Sequence, residues 1–126
     1  MTTLSPQTQT NIEFAADLIR QSKHTVILTG AGVSTPSGIP DFRSSGTGLW
    51  SKDEPLEVAS LSTFRTKPSL FFDWFRPLAR QMFDARPNSA HIALAELEKK
   101  GYVRSIITQN IDVLHQKAGS KNIIKI

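Results

Sequence analysis

The chain has 126 residues, a formal net charge of +4 at pH 7 and no cysteine. This length predicts one domain, and 39% apolar with 21% charged residues is typical of a soluble globular protein. The composition excludes disulfides and thiolate metal sites, and no apolar run approaches the ~20 residues that span a membrane. The first ten residues show no secretory signal, so we expect a cytoplasmic protein without a membrane partner.

The predicted elements alternate between helices and strands. Ser5 is a predicted N-cap followed by a proline, and apolar residues at helical spacing extend this first helix to about Ser22. Residues 24–29 are a β-branched run typical of a buried parallel strand. Residues 30–50 hold five of the seven glycines, which predicts a loop.

The remaining residues predict further helices and two more strands. Residues 56–85 are expected to be helical in pieces, kinked or divided at Pro77, with their aromatic side chains packed into a layer. Four elements follow in chain order: a helix over 89–100 capped by Asn88, a strand over 103–108, a helix over 112–118 and a strand over 122–126. This order predicts an α/β fold with a parallel sheet.

The positive charge is concentrated in the last third of the chain. Six lysines and arginines follow Glu98, against the single acid Asp112. A basic surface of this kind can bind nucleic acid, but it is more often a solvated face. No pattern of interleaved aromatic residues accompanies these lysines, so we expect no nucleic-acid partner.

Two loops follow predicted strands at the edge where parallel sheets bind ligands. The first begins GAGVSTPSGIPDFRS at Gly30, and the second covers residues 109–112. Gly30 and Gly32 allow a tight turn and a close backbone approach to a pyrophosphate. The third glycine of the dinucleotide-binding fingerprint is replaced by Thr35. The glycines alone therefore fit either a nucleotide site or a simple strand-to-helix turn.

The polar and aromatic residues of these loops can serve the fold or contact a ligand. The DFR tripeptide at 41–43 is either an ion pair around a core ring or a ring that covers one face of a ligand. Gln109 and Asn110 have side chains that hydrogen-bond sugar hydroxyls or an amide. Asp112 either caps the following helix or accepts hydrogen bonds from a ligand.

Taken together, these stretches resemble the sirtuin family of NAD-dependent protein deacylases. The resemblance rests on GAGVSTPSGIPDFRS, on SSGTGLW after it, on RPNSAH and on TQNIDVLHQKAG, and it extends from about Phe14 to Ile126. It implies that residues 1–126 are the amino-terminal part of a three-layer, Rossmann-like NAD-binding catalytic domain. The zinc module of that domain is expected to be absent from this chain.

The resemblance implies that NAD is a co-substrate and that an acylated lysine of a protein or peptide is the second substrate. The acyl oxygen attacks C1′ of the nicotinamide ribose, nicotinamide leaves, and O-acyl-ADP-ribose and free lysine are formed. Relatives that prefer acidic acyl groups carry a Tyr and an Arg at positions that we match to Phe75 and Leu78. We therefore expect acetyl as the acyl group, since a succinyl carboxylate would be buried without a partner.

The resemblance also assigns residues to the NAD site. The nicotinamide pocket would consist of Ala31, Ile39, Phe42, Asn110, Ile111 and Asp112, with Asp112 accepting from the carboxamide. The pyrophosphate would bind Gly30, Gly32 and Arg43, and the nicotinamide ribose would bind Gln109. Ser34 and Asn110 would support the local network, and Pro40, Asp41 and Trp50 complete the expected cofactor-binding set. His115 is expected to be structural or orienting.

The resemblance places the general-base histidine just after Ile126, so no catalytic residue is expected in this chain, where Asn110 only supports the reaction. The structural zinc is likewise expected in a longer parent protein. We therefore expect a fragment that is inactive alone. Two alternatives are a catalytically empty half-domain that binds NAD or ADP-ribose, and an NAD glycohydrolase.

Overall fold

The computed structural model of the chain describes residues 4–41 and 55–126. The described helices are Pro6–Gln21 (α1), Pro55–Val58 (α2), Leu61–Thr66 (α3), Pro68–Asp84 (α4), Ser89–Lys99 (α5) and Leu114–Ala118 (α6), with a 3-10 helix at Ala31–Ser37. The described strands are Thr25–Thr29 (β1), Val103–Thr108 (β2) and Ile123–Lys125 (β3). None of the helices in this part of the chain is long and apolar enough to cross a bilayer.

The three strands form one parallel sheet in the order β1-β2-β3. Thr29 pairs with Thr108, and Thr108 pairs with Lys125, so the carboxyl ends of all three strands lie along one edge. Ile106 in the central strand is fully buried. The predicted α/β class, the parallel sheet and the strand positions are confirmed to within about a residue.

A small hydrophobic core lies next to this edge of the sheet. Ile39, Ala85 and Leu114 are buried together, and Leu78 and Met82 of α4 pack against them. Lys117 of α6 donates from Nζ to the carbonyls of Phe83 and Ala85 at 2.9 and 3.0 Å. These bonds satisfy carbonyl groups at the end of α4, which have no partner within the helix. The end of α4 is thereby held against α6.

The start of α5 is joined to the 3-10 helix through one side chain. Asn88 caps α5, because its Oδ1 accepts from the Ala90 N–H at 2.9 Å. Its Nδ2 donates to the Val33 carbonyl at 2.8 Å and to Ser37 Oγ at 3.0 Å. The cap predicted from the sequence is confirmed, and it also fixes the loop that follows β1.

The loop predicted over residues 30–50 contains regular structure. The 3-10 helix begins after Gly30 and ends at Gly38, whose φ of 86° lies in the left-handed region that favours glycine. Thr35 stabilises it by donating from Oγ1 to the Gly32 carbonyl at 3.0 Å. Glycine and proline content predicted an irregular loop, but short 3-10 turns tolerate both residues. Residues 42–50 of the predicted loop lie outside the described residues.

Of the predicted kink or division at Pro77, the division is wrong. Helix α4 continues through this proline, and the break falls instead at Lys67, just before Pro68. An internal proline removes one donor and leaves the carbonyl four residues earlier, here that of Asp73, without its helical partner. Pro77 and Asp73 are both exposed residues, which places the missing helical bond at the surface of the helix.

The predicted packed layer of aromatic side chains is also wrong. The rings of this region contact one another, with centroids between 5.2 and 6.3 Å apart, and they belong to Phe64, Phe71, Phe72, Trp74 and Phe75. None of these side chains is buried, and α4 has no buried residue. Helical spacing predicts that such rings meet, but it does not supply a second surface that covers them.

We predict that Asn88→Ala lowers the free energy of unfolding by about 2 kcal/mol, because it removes a helix cap and two interactions with the 3-10 helix. Chemical denaturation followed by circular dichroism measures the change. Asn122→Ala, at an exposed side chain before β3, is the matched control and should change the free energy by less than about 0.5 kcal/mol. Equal effects of the two substitutions would contradict the assigned role.

Candidate functional site

A cavity of about 220 Å³ lies at the carboxyl ends of β1 and β2. Its lining residues are Ala31, Ser34, Ile39, Pro40, Leu78, Met82, Gln109, Asn110, Ile111 and Asp112. The volume is below the ~300–1,000 Å³ of pockets that hold a drug-sized ligand, so it suits a single ring better than a whole dinucleotide. The two loops that the sequence singled out thus meet at one site.

Asp112 is the charged residue of this lining, and it is 5% exposed. Ser34, which is fully buried, donates from Oγ to Asp112 Oδ2 at 2.6 Å. The backbone N–H of Leu114 donates to Asp112 Oδ1 at 2.9 Å. A buried carboxylate needs such donors, and bonds to an ionised acceptor are short and strong. Each oxygen keeps a further lone pair, so the carboxylate can also accept from a ligand.

Val113, between Asp112 and α6, has an unusual backbone conformation. Its φ is 55° and its ψ is 18°, which is the left-handed region. This region is unfavourable for a β-branched residue by roughly 1–2 kcal/mol. The bond from the Leu114 N–H to Asp112 spans this residue and favours the turn. The strained backbone of Val113 is therefore part of the turn that holds the Asp112 carboxylate in place beside the cavity.

Asn110 joins the two loops from the opposite side. Its Nδ2 donates to the Gly30 carbonyl at 3.0 Å and to Ser34 Oγ at 3.2 Å. Its backbone N–H donates to Thr108 Oγ1 at 3.1 Å. Because both amide hydrogens are used, the side-chain oxygen is the group that Asn110 can offer to a ligand. Ser34 Oγ accepts from Asn110 and donates to Asp112, so these three side chains form one network.

Packing among the described residues does not require glycine at positions 30 and 32. A Cβ built at Gly30 would meet only Gln109 Oε1, at 4.0 Å, and a Cβ at Gly32 would meet nothing within 4 Å. Both residues also have no left-handed φ. A pyrophosphate that closely approaches the backbone would explain why these two residues are glycines. This contact stays a prediction.

The predicted site residues divide into three groups. Eight of them line the cavity: Ala31, Ser34, Ile39, Pro40, Gln109, Asn110, Ile111 and Asp112. Gly30, Gly32 and Asp41 are described but are not part of the lining, and Asp41 is half-buried and follows Pro40 directly. Phe42, Arg43 and Trp50 lie outside the described residues.

Two cavity residues, Leu78 and Met82, were not predicted to bind the cofactor. They are four residues apart on α4, so they lie on the same face of that helix. Periodicity identifies such a face, but it does not say which loop the face contacts. They give the cavity an apolar wall opposite its polar network.

A pair of buried histidines lies behind the cavity. His91 of α5 is 0% exposed and His115 of α6 is 1% exposed, with ring centroids 4.9 Å apart. His115 Nε2 is 2.9 Å from Thr29 Oγ1, and His91 Nδ1 accepts from the Asn88 N–H at 3.4 Å. His115 was expected to be structural or orienting, whereas His91 was missed. Its position three residues after the cap Asn88 is the signal that marks it, since that spacing forms a capping box.

Burial lowers the pKa of both histidines below the ordinary 6.5, because desolvation disfavours the imidazolium. The neighbouring His91 lowers the pKa of His115 further, and the Asp112 carboxylate opposes these effects in both rings. The neutral imidazole is therefore the favoured form at both positions.

The described residues do not fit a zinc ion. Within residues 4–41 and 55–126, no three His, Asp or Glu side chains come together to hold a metal, and the sequence has no cysteine. Structural zinc sites are normally built from four ligands that include thiolates. The zinc site expected from the resemblance therefore has no set of ligands among the described residues.

Comparison with known proteins gives a consistent result. Residues 30–126 match the model of the Sir2 family. The chain is 51% identical over 112 residues to NAD-dependent protein deacetylase 2 of Caldanaerobacter subterraneus subsp. tengcongensis, covering 89% of this chain and 45% of that protein. It is 49% identical over 115 residues to NAD-dependent protein deacylase 2 of Archaeoglobus fulgidus, covering 91% of this chain and 45% of that protein.

Solved structures agree with this result. A Sir2 structure with a deacetylated p53 peptide and 3′-O-acetyl ADP-ribose has a TM-score of 0.85 and 46% sequence identity, covering 90% of this chain and 46% of that chain. The likeness confirms the predicted Rossmann-like α/β fold. The chain spans about 45% of the length of the relatives that it matches.

We predict that the folded state loses stability in mild acid because the pKa values of His91 and His115 are lowered. Between the lowered pKa values and 6.5, the unfolded chain binds more protons than the folded chain. Stability therefore falls as the pH decreases through 6.5, until both states are protonated. Urea unfolding between pH about 7.5 and about 5.5 measures the slope.

Two variants identify the source of this slope. His115→Gln removes one of the two titrating groups and should make the slope shallower, whereas Gln116→Ala, at an exposed uncharged residue of the same helix, should leave it unchanged. A stability that does not change across this pH range would rule out the two rings as the titrating groups.

Proposed function

Because the chain belongs to the Sir2 family, we propose that residues 1–126 are the amino-terminal, nicotinamide-binding part of an NAD-dependent protein-lysine deacylase. NAD and an acylated lysine of a protein or peptide are the proposed substrates. Relatives named as NAD-dependent deacetylases and deacylases, and a Sir2 complex with NAD and a p53 peptide, support this assignment. The products are nicotinamide, free lysine and O-acyl-ADP-ribose.

The observation that carries the proposal is the network of Ser34, Asn110 and Asp112 inside a cavity of single-ring size. Nicotinamide presents a flat ring and a carboxamide. The carboxylate of Asp112 is an acceptor for the carboxamide N–H groups, and Ser34 fixes the direction of that carboxylate. Ile39, Leu78 and Met82 supply the apolar contacts that an aromatic ring needs.

Several residues of the site have a place in the proposed chemistry. A ring held at its carboxamide by Asp112 cannot rotate, so C1′ of the attached ribose is held in one orientation toward the acyl oxygen. The apolar wall excludes water that would compete with the acyl oxygen for C1′. Gln109, at the end of β2, is the proposed partner of the ribose hydroxyls. The backbone at Gly30 and Gly32, with Arg43, is the proposed pyrophosphate site.

None of the three histidines of this chain is proposed as the general base. His24 precedes β1 at the amino edge of the sheet, which is opposite the cavity. His91 and His115 are buried, and each has a ring nitrogen committed to a neighbouring group. The base is therefore proposed to lie in a segment that corresponds to the rest of the relatives' length, as is the zinc site. Asn110 has a supporting role.

We propose a short neutral acyl group such as acetyl. Leu78 lines the cavity with an apolar side chain, and Phe75 is half-buried within the aromatic cluster of α4. Neither residue offers a cation, so the carboxylate of a succinyl group would be desolvated there without a partner.

Binding of nicotinamide by this chain tests the proposed site. Asp112→Asn should weaken binding about 10-fold or more, because a charged acceptor of the carboxamide is replaced by a neutral amide. Titration followed by NMR chemical shifts measures the affinity. Asp17→Asn, at an exposed residue of α1, is the control. Equal affinities of the Asp112→Asn variant and the unchanged chain would overturn the assignment of the cavity to nicotinamide.

An activity measurement separates the proposal from the other candidate functions. Incubated with NAD and an acetylated peptide, the 126-residue chain should release no free lysine, since none of its histidines can act as the base. Mass spectrometry of the peptide and quantification of nicotinamide give the result, with the Archaeoglobus fulgidus deacylase as a positive control. Nicotinamide release without peptide would favour an NAD glycohydrolase. Formation of free lysine would contradict the assignment of the base to another segment.

A further inference from the structure

Each of the two buried histidines has one ring nitrogen without a hydrogen-bond partner among the described residues, and the proposed nicotinamide site does not explain this. His91 Nε2 and His115 Nδ1 are buried and have no hydrogen-bond partner in the described part of the chain. Buried polar atoms are nearly always bonded, so two such atoms in neighbouring rings need a common explanation. The rings are 4.9 Å apart between centroids and inclined by 59°.

The surrounding bonds fix the tautomer of each ring. Thr29 has one hydroxyl hydrogen, which it donates to Thr108 Oγ1 at 2.9 Å. The contact between Thr29 Oγ1 and His115 Nε2 must then use a hydrogen on Nε2, so His115 Nδ1 is a bare acceptor. His91 Nδ1 accepts from the Asn88 N–H, so its hydrogen is on Nε2. One ring therefore has an unused donor and the other has an unused acceptor.

We propose that His91 and His115 form a neutral hydrogen-bonded pair, from His91 Nε2–H to His115 Nδ1 directly or through one buried water, and that this pair positions Asn110 in the cavity. The effect on ligand binding rests on the proposed function, whereas the bond itself does not. A single link satisfies both buried atoms, because one ring offers a donor and the other an acceptor.

The pair connects two sets of bonds that reach the cavity. On one side, His115 bonds Thr29, Thr29 bonds Thr108, and Thr108 accepts from the backbone N–H of Asn110. On the other side, His91 accepts from the backbone of Asn88, whose side chain donates to Val33 and Ser37 in the 3-10 helix. With the link formed, the network is continuous from the 3-10 helix, which carries Ser34, to Asn110. The histidines are thus positioning residues that do not contact the ligand.

The neutral state of both rings is required by this arrangement. Protonation of His115 would place a hydrogen on Nδ1 facing the His91 donor, and the link would break. Asp112 is the charged group whose field reaches both rings. Lys117 on α6 donates to carbonyls at the end of α4, Thr29 and Thr108 carry no charge, and Lys125 of β3 is exposed. Burial outweighs Asp112, so the neutral form prevails.

NMR of the ring nitrogens of the ligand-free chain at neutral pH tests the pair. We expect His91 to carry its hydrogen on Nε2 and His115 on Nε2, with a scalar coupling between His91 Nε2 and His115 Nδ1 for a direct bond. A long-lived water with cross-peaks to both rings would establish the bridged form. The opposite tautomer in either ring, a charged ring, or the absence of both signals would overturn the proposal.

Nicotinamide affinity tests the positioning role. His115→Leu removes the donor to Thr29 and should weaken binding about 10-fold. His115→Gln can place an amide N–H near Nε2, and it should restore affinity to within about 3-fold of the unchanged chain. His24→Gln is the control and should have no effect. If His115→Leu and His115→Gln bind equally, the positioning role is wrong.

Two further measurements distinguish a loss of positioning from a loss of folding. Circular dichroism of each variant shows whether it is folded, and the amide shifts of Asn110 report directly on its position without ligand. These shifts should change in His115→Leu and recover in His115→Gln. If the unchanged chain binds no nicotinamide, the proposed function fails, whereas the NMR signals of the ring nitrogens still decide whether the pair exists.

Discussion

The buried carboxylate of Asp112 is the constraint on which the arrangement of both loops depends. A carboxylate that is 5% exposed needs donors, and the chain supplies them from two directions, through Ser34 Oγ and the Leu114 N–H. The first donor requires the 3-10 helix to lie against the end of β2. The second requires a sharp turn before α6, and Val113 accepts a left-handed φ of 55° to make it. The cavity is the space that remains between these two loops.

The sequence predicts the regular elements well where local chemistry decides them. The β-branched run before Gly30, the cap at Asn88 and the glycine after α6 each mark a boundary by a mechanism that needs no distant partner. Prediction failed where tertiary context decides. Pro77 lies at an exposed position inside the continuous helix α4, and the aromatic rings of α4 remain partly exposed because no described element covers them. Neither fact is contained in residue spacing.

The candidate site shows the same division. Gln109, Asn110 and Asp112 could be located from the sequence because polar residues directly after a strand of a parallel sheet lie at its ligand-binding edge. Leu78 and Met82 could not, because their contact with the cavity depends on how α4 packs against Ile39 and against Leu114 of α6. The resemblance named the residues of the pocket, whereas the structure adds the bonds that hold Ser34, Asn110 and Asp112 in one network.

Among the described residues, Asp112 and the two buried histidines behind it influence the charge beside the cavity. The nicotinamide ring of NAD is cationic, so a site that binds it gains from one nearby carboxylate and loses from any added positive charge. Asp112 supplies that carboxylate from the lining, and its field also favours protonation of the histidines behind it. Burial of His91 and His115 prevents this protonation. Because the imidazoles stay neutral, they do not offset the negative charge of Asp112, and this charge remains available to a cationic ring.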